Sequence, residues 1–165
     1  MEKKTESAIE AGIREAQKLR DNGLIRIDLE TGISNAQRLL ERSEIAMVGS
    51  VDLNGFPHTK AMFIRKSERL ETVWFGTHLS TKRVSQFTQN PKASLYFFDK
   101  NSGEGLLLVG EIEVLQDMKS KESLWREGWQ AYYPLGALDP NYGILKFIAQ
   151  SGNYYKELQS IEFDL

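Results

Sequence analysis

The stretch from Ile45 to Asp99 constrains the fold most, because it strings β-rich runs together across connections only a few residues long. Ile45 to Asp52 is apolar and rich in strand formers, and Leu53-Asn54-Gly55 supplies a turn with a glycine for positive φ. Pro57 opens the next run, where a missing backbone N–H does least damage, and that run continues to Arg65. Lys66-Ser67-Glu68-Arg69 makes a charged turn, and Leu70 to Phe75 reads as a third strand. Ser80 or Thr81 can cap a helix that runs to Gln89, Asn90-Pro91 stops it, and Ala93 to Phe98 is strand again. The pattern is a three-stranded meander, one short helix and a fourth strand.

The flanking segments fit around that unit. Glu2 to Asn22 has apolar residues near helical spacing and reads as an amphipathic helix, part of an N-terminal extension over residues 1–30. Disorder up to Gly23 is the competing reading. Ser34 can cap a second helix over Asn35 to Arg42. Leu106 to Leu115 is a long strand with Gly110 as a bulge or close approach, and its alternation sends Glu111 and Glu113 outward. Met118 to Ala131 reads as a helix on which Trp125 and Trp129, four apart, share a face suited to a dimer seam. Tyr142 to Ala149 is the last strand expected. The expectation is a mainly β (α+β) fold, an antiparallel barrel with peripheral helices, forming a single domain over residues 31–165.

Composition excludes several functions. With 21 basic and 23 acidic residues the net charge is −2, so no global field attracts nucleic acid or an anionic membrane. There is no cysteine, hence no disulfide, thiolate metal site or cysteine nucleophile. The sequence holds no apolar run of the roughly twenty residues a membrane helix needs, and Met1 to Glu6 lacks a secretion-signal core. A soluble cytoplasmic protein is expected. His58 and His78, the two histidines, make a poor metal site without a cluster of carboxylates.

The chemistry concentrates where the third strand meets the helix. Gly76-Thr77-His78 ends the strand, and Ser80, Thr81, Lys82 and Arg83 follow at a helix N-terminus. The first N–H groups of a helix carry partial positive charge and lack internal partners, so hydroxyls and cations added there suit a phosphate. Gly76 removes a side chain where a ligand can approach the backbone. The same pattern also reads as an ordinary capped helix with solvated cations, and both readings stand on these residues alone.

In order and spacing, Lys60-Ala61-Met62-Phe63, Phe75-Gly76-Thr77-His78, Ser80-Thr81-Lys82-Arg83, Asn90-Pro91 and Ala93-Ser94-Leu95-Tyr96-Phe97 resemble the FMN-binding split barrels related to pyridoxamine 5′-phosphate oxidase. The general stress protein 26-like branch is the nearest likeness, and it continues through Leu108-Val109-Gly110-Glu111, Trp125, Tyr132-Tyr133-Pro134 and Asp139-Pro140. The resemblance implies that Lys60, Lys82 and Arg83 hold the phosphate of FMN. It also implies that the backbone of Ala61, Met62 and Phe63 lies along the flavin ring and that Gly76 and Thr77 contact the cofactor. Ser80, Thr81 and His78 belong to the same expected site. A homodimer with two flavin sites at its interface is implied as well, each serving a small-molecule electron donor or acceptor.

Two departures separate the chain from the vitamin B6 oxidase itself. Gly105 stands where those oxidases place a glutamine, and the Trp- and Arg-rich C-terminal segment has no counterpart after Tyr154-Tyr155. Three functions follow from the resemblance and these departures. They are a flavin-dependent oxidoreductase, a flavin- or ligand-binding stress protein without turnover, and an interaction module that has lost its cofactor.

Overall fold

A computed structural model describes residues 7–21, 27–156 and 159–165. Among the described residues, seven strands form one antiparallel sheet: β1 (Ile45–Val51), β2 (Pro57–Glu68), β3 (Thr72–His78), β4 (Lys92–Asp99), β5 (Glu104–Leu115), β6 (Tyr142–Lys156) and β7 (Gln159–Asp164). Their order is β3-β2-β1-β4-β5-β6-β7. A further β3–β6 pairing, from Thr72 opposite Ile148 to His78 opposite Tyr142, closes six of them into a barrel. The expected mainly β barrel with peripheral helices is what forms.

The barrel follows from short turns and alternation. Gly55 takes the positive φ (82°) that the β1–β2 turn needs, and the Asp52 carboxylate accepts the Asn54 and Phe56 N–H groups. Alternate residues of β1, β3, β4 and β5 then turn inward, including Val48, Phe75, Leu95, Phe97, Leu106 and Leu108. At Gly110 the β5–β6 register shifts, and an added Cβ would lie 2.0 Å from the Ile148 carbonyl oxygen. Both expectations for that glycine, bulge and close approach, hold.

Among the described residues there are four helices, α1 (Ala8–Asp21), α2 (Leu29–Arg42), α3 (Lys82–Gln89) and α4 (Met118–Ser123), of which α2, α3 and α4 pack on the barrel. Of the expected Glu2–Asn22 helix, residues 2–6 and Asn22 lie outside the described residues. Within them, Ser7 and Glu10 form a reciprocal capping box at the start of α1. Helix α2 begins six residues before the expected Asn35. Asp28 caps it by accepting the Thr31 N–H at 2.9 Å, which leaves Ser34 inside the helix and places the residue 30 division there too.

Four elements differ from expectation. The turn expected at Lys66-Ser67-Glu68-Arg69 falls over residues 69–71, because β2 stays paired with β3 as far as Glu68. The helix expected over Met118–Ala131 ends at Ser123, where Leu124 leaves helical geometry at φ −112°, and beyond Gly128 at φ +92° the chain resumes only as a 3-10 turn over Trp129–Ala131. Trp125 and Trp129 therefore share no helix face; they meet edge-on at 5.9 Å and pack on Tyr142 of their own barrel. Strand β6 continues past Ala149 to Lys156, and β7, unanticipated, pairs along this extension. Ile161 of β7 fills the space left by Gly32 of α2.

A polar tie also holds α2 to the sheet. Arg42 donates to Glu104 and pairs with Asp99 at 3.3 Å, and Lys156 reaches the other Glu104 oxygen at 3.1 Å. Burial alone would raise the Glu104 pKa, but the hydrogen bonds and charges of Arg42 and Lys156 overcome it and the net shift is downward. A carboxyl lowered in the folded state contributes stability above its unfolded value of 4.5, and that contribution is lost as the pH falls through the folded value. Glu104→Gln is expected to lose about 2 kcal/mol in urea unfolding at neutral pH. The loss should shrink below pH 4.5, as the pH falls through the lowered folded value and the wild-type carboxyl also gains its proton. An equal loss at both pH values would show that the tie is not ionic.

Candidate functional site

Two adjoining recesses collect most of the residues singled out above. The first is a hollow of about 300 Å³ between β1, β2 and α3, lined in part by Ser50, His58, Lys60, Thr81, Lys82, Arg83 and Gln86. Helix α3 arises because the chain turns sharply after β3: the Leu79 N–H bonds to the Asn141 carbonyl, and the Thr81 N–H to the His78 carbonyl. Thr81 occupies the N-cap position, yet its hydroxyl makes no capping hydrogen bond and is buried without a partner. Ser80 does not cap either; its Oγ lies 2.9 Å from His78 Nδ1. The reading in which these hydroxyls merely cap the helix is not what the structure shows.

Gln86 deepens the hollow. It is 7 % exposed, its Oε1 accepts the Ser50 hydroxyl at 2.8 Å, and its buried Nε2 donor has no partner. Buried donors are normally satisfied, so two unpartnered ones facing three cations mark a place for an acceptor. Among the described residues, no carboxylate lines the hollow. Asp52 is occupied at its edge by His58 Nε2 at 2.9 Å, which with backbone N–H groups holds the Asp52 carboxyl below its usual range.

The second recess is a cavity of about 650 Å³ on the outer face of β2 and β3, bounded by Ala61, Met62, Phe63, Arg65, Gly76, His78, Arg83, Arg126, Trp129, Tyr132 and Tyr133. Alternation places Gly76 and His78 on this outer face, opposite the inward Phe75 and Thr77. The chain between β5 and β6 folds over it, and Tyr133, Tyr142 and Ile144 form a second small core with Trp74, Leu124, Trp125 and Trp129 packed around it. Lys121, buried, fixes that segment by donating to the Asp139 carbonyl at 2.8 Å. Gly76 is needed here, since an added Cβ would lie 2.9 Å from the Trp129 ring. The Arg65 guanidinium stacks on Trp129 at 3.9 Å, and burial, then the charge of Arg126, lowers its pKa. Arg83 borders both recesses, and burial lowers its pKa too.

The expected site residues therefore separate into groups. Lys60, Thr81 and Lys82 line the hollow; Ala61, Met62, Phe63, Gly76 and His78 line the cavity; and Arg83 joins them. Thr77 faces the barrel interior, 4 % exposed, and lines neither recess. Ser80 also lies outside both, held by His78. Gly105 leaves room for the Tyr155 ring, which an added Cβ would meet at 2.1 Å, and Tyr155 in turn bonds Tyr96 through their hydroxyls at 2.6 Å. The position of the oxidase glutamine is thus filled by a tyrosine from the neighbouring strand.

Arg65, Arg126 and Gln86 join the site beyond the residues expected from sequence. Arg65 falls at a register shift between Ile64 and Lys66 of β2, an irregularity that alternation alone does not disclose, and it joins Ala61 and Phe63 on the cavity wall. Gln86 sits four residues beyond Lys82 and three beyond Arg83, one helical turn from the cations. Arg126 has no local signal, because a loop rather than a helix delivers it.

The family model for pyridoxamine 5′-phosphate oxidase-like proteins matches residues 32–163. A crystal structure of a protein from Clostridium acetobutylicum, related to general stress protein 26 of B. subtilis and placed in the pyridoxinephosphate oxidase family, is 45 % identical. It covers 82 % of this chain and 96 % of its own, with a TM-score of 0.75. A dihydrophenazinedicarboxylate synthase from Pseudomonas chlororaphis is 26 % identical over 136 residues, which span 81 % of this chain but 60 % of that protein. A heme binding protein from Mycobacterium smegmatis shares the fold at 9 % identity and a TM-score of 0.65, over 81 % of this chain and 57 % of its own. The chain belongs to the pyridoxamine 5′-phosphate oxidase-like family.

Proposed function

We propose that the protein is an FMN-binding flavoprotein that acts as an oxidoreductase on a small molecule. The observation that carries this reading is the hollow, where Lys60, Lys82 and Arg83 meet two buried, unpartnered donors, Thr81 Oγ1 and Gln86 Nε2. A phosphate would satisfy all of them, with charge-assisted hydrogen bonds from the cations. Arg83 leads from there into the larger cavity, whose strand backbone at Ala61–Phe63 and aromatic wall suit a flat ring. Bound FMN would supply two-electron redox chemistry, while the chain contributes binding, orientation and exclusion of water. A named synthase among the relatives favours turnover over storage.

The functional unit in this reading is a homodimer. Ile45, Met47, Phe63, Phe98 and Val109 are large apolar side chains left exposed. The strand registers place Ile45 opposite Phe63, Met47 opposite Ala61 and Tyr96, and Val109 opposite Ser94, so these residues cover the outer faces of adjoining strands. An apolar sheet face of this kind marks an interface. It runs directly into the cavity through Ala61 and Phe63, so a second copy seated on it would wall the open side.

Three outcomes test the reading. Purified protein incubated with FMN and freed of excess should keep flavin absorption bands. Lys82→Ala with Arg83→Ala should weaken FMN binding about 100-fold or more, since a hydrogen bond from a charged group contributes roughly 1.5–3 kcal/mol. A change under about threefold would show that the phosphate lies elsewhere. Met47→Glu with Val109→Asp should convert a dimer to a monomer in light scattering and weaken FMN retention at the same time. A dimer that survives those changes would place the interface on another face.

A further inference from the structure

His78 stands where the two recesses meet. Along β2 the lining changes from cavity to hollow between Ala61 and Lys60, and after β3 it changes between His78 and Thr81. A ligand with its phosphate in the hollow and a flat ring in the cavity therefore passes His78 on the way. The backbone is fixed at this point, since His78 ends the β3–β6 ladder opposite Tyr142 and its carbonyl accepts the Thr81 N–H at 3.1 Å.

Two contacts fix the imidazole. Its plane is stacked on the Tyr133 ring, with 6.0 Å between centroids and 26° between planes. Its Nδ1 faces Ser80, whose Oγ lies 2.9 Å away and whose backbone N–H donates over 3.4 Å. A backbone N–H only donates, so Nδ1 is the acceptor, and in the neutral ring the proton sits on Nε2. Ser80 lines neither recess, whereas His78 lines the cavity. The two ring nitrogens point in widely divergent directions, so an Nδ1 turned to Ser80 leaves Nε2–H on the ligand side. Among the described residues Nε2 has no hydrogen-bond partner. It is a neutral donor with its direction set before any ligand arrives.

Resting on the flavin reading above, we propose that His78 donates from Nε2–H to the flavin ring, at the end from which the phosphate-bearing chain leaves. In FMN that chain is carried by N10, and the acceptors beside it are N1 and the C2 carbonyl. Two-electron reduction places negative charge on that same edge. A donor fixed there binds the reduced ring more tightly than the oxidised one, because a hydrogen bond to a charged acceptor is roughly twice as strong. His78 thus helps to set the potential of the cofactor, and Ser80 is a positioning residue that acts through it.

Tautomer and role are tested apart. In isotope-labelled, FMN-free protein held above the usual histidine range, long-range proton–nitrogen NMR correlations read the protonated nitrogen of each imidazole, and His78→Phe assigns the signal. His78 is expected to carry its proton on Nε2, and a proton on Nδ1 would overturn the proposal. In FMN-loaded protein, His78→Phe is expected to lower the midpoint potential by about 30 mV, a tenfold loss of preference for the reduced ring. His78→Gln, which keeps a donor, should recover part of that shift. An unchanged potential in His78→Phe, or equal shifts in both variants, would refute the hydrogen bond. Inorganic phosphate, titrated calorimetrically into FMN-free protein, should bind both variants within about twofold of wild type. A parallel loss of phosphate affinity would make His78 part of the hollow and overturn the ring contact. A protein that retains no FMN refutes the flavin reading and this role with it, whereas one that retains FMN at a potential indifferent to His78 refutes the role alone.

Discussion

The pairing of β3 with the first half of β6 is the constraint on which the rest depends. Without it the sheet is an open, twisted ribbon whose edges seek partners. With it, Phe75, Leu145 and Phe147 are fully enclosed, and the outer faces of the same two strands are brought side by side. That outer surface carries Gly76 and His78 from one strand and Tyr142 and Ile144 from the other. The segment between β5 and β6 can cover it only because the barrel is already closed. Strand β6 reaches this position by bending at the Gly110 bulge, where its backbone comes too close for any side chain.

How far the sequence discloses this depends on the range of the interaction. The meander is written in local terms, by Gly55, Pro57, Asn90-Pro91 and by alternation, and it forms as those residues dictate. Strand β7 is not local in that sense. Gln159-Ser160-Ile161-Glu162-Phe163-Asp164 alternates only weakly, and it becomes a strand because the second half of β6 offers an unpaired edge and α2 offers a groove at Gly32. The segment after Ser123 misleads for the opposite reason. Its Trp125–Trp129 spacing is helical, but the rings gain more by packing on Tyr142 than the backbone gains by continuing a helix through Gly128.

The site shows the same division. The hollow is partly legible because the turn after β3 and the start of α3 are contiguous, so Thr81, Lys82 and Arg83 appear together, while Lys60 comes from β2. The cavity is half legible. Its strand side, Ala61 to Phe63 with Gly76 and His78, stands out by resemblance, while its aromatic wall and Arg126 come from a loop more than forty residues away. Proximity in sequence draws Thr77 and Ser80 into the expected site, whereas strand alternation and a local bond to His78 keep them out of the lining of both recesses.

This arrangement assigns the two cores separate duties. The barrel interior, from Leu39 and Leu40 of α2 to Phe147, has no side chain in the cavity except Met62. Truncations there act on stability. The second core borders the cavity directly, because Trp129 and Tyr133 belong to both the aromatic packing and the cavity wall. It is also held more lightly, by one buried lysine on a carbonyl and by aromatic contacts of about 1 kcal/mol each. Sequence change in that segment can reshape the wall and move Arg126 without touching the barrel. The hollow thus rests on barrel strands and α3, whereas the cavity wall depends on a segment packed mainly through its own aromatic contacts.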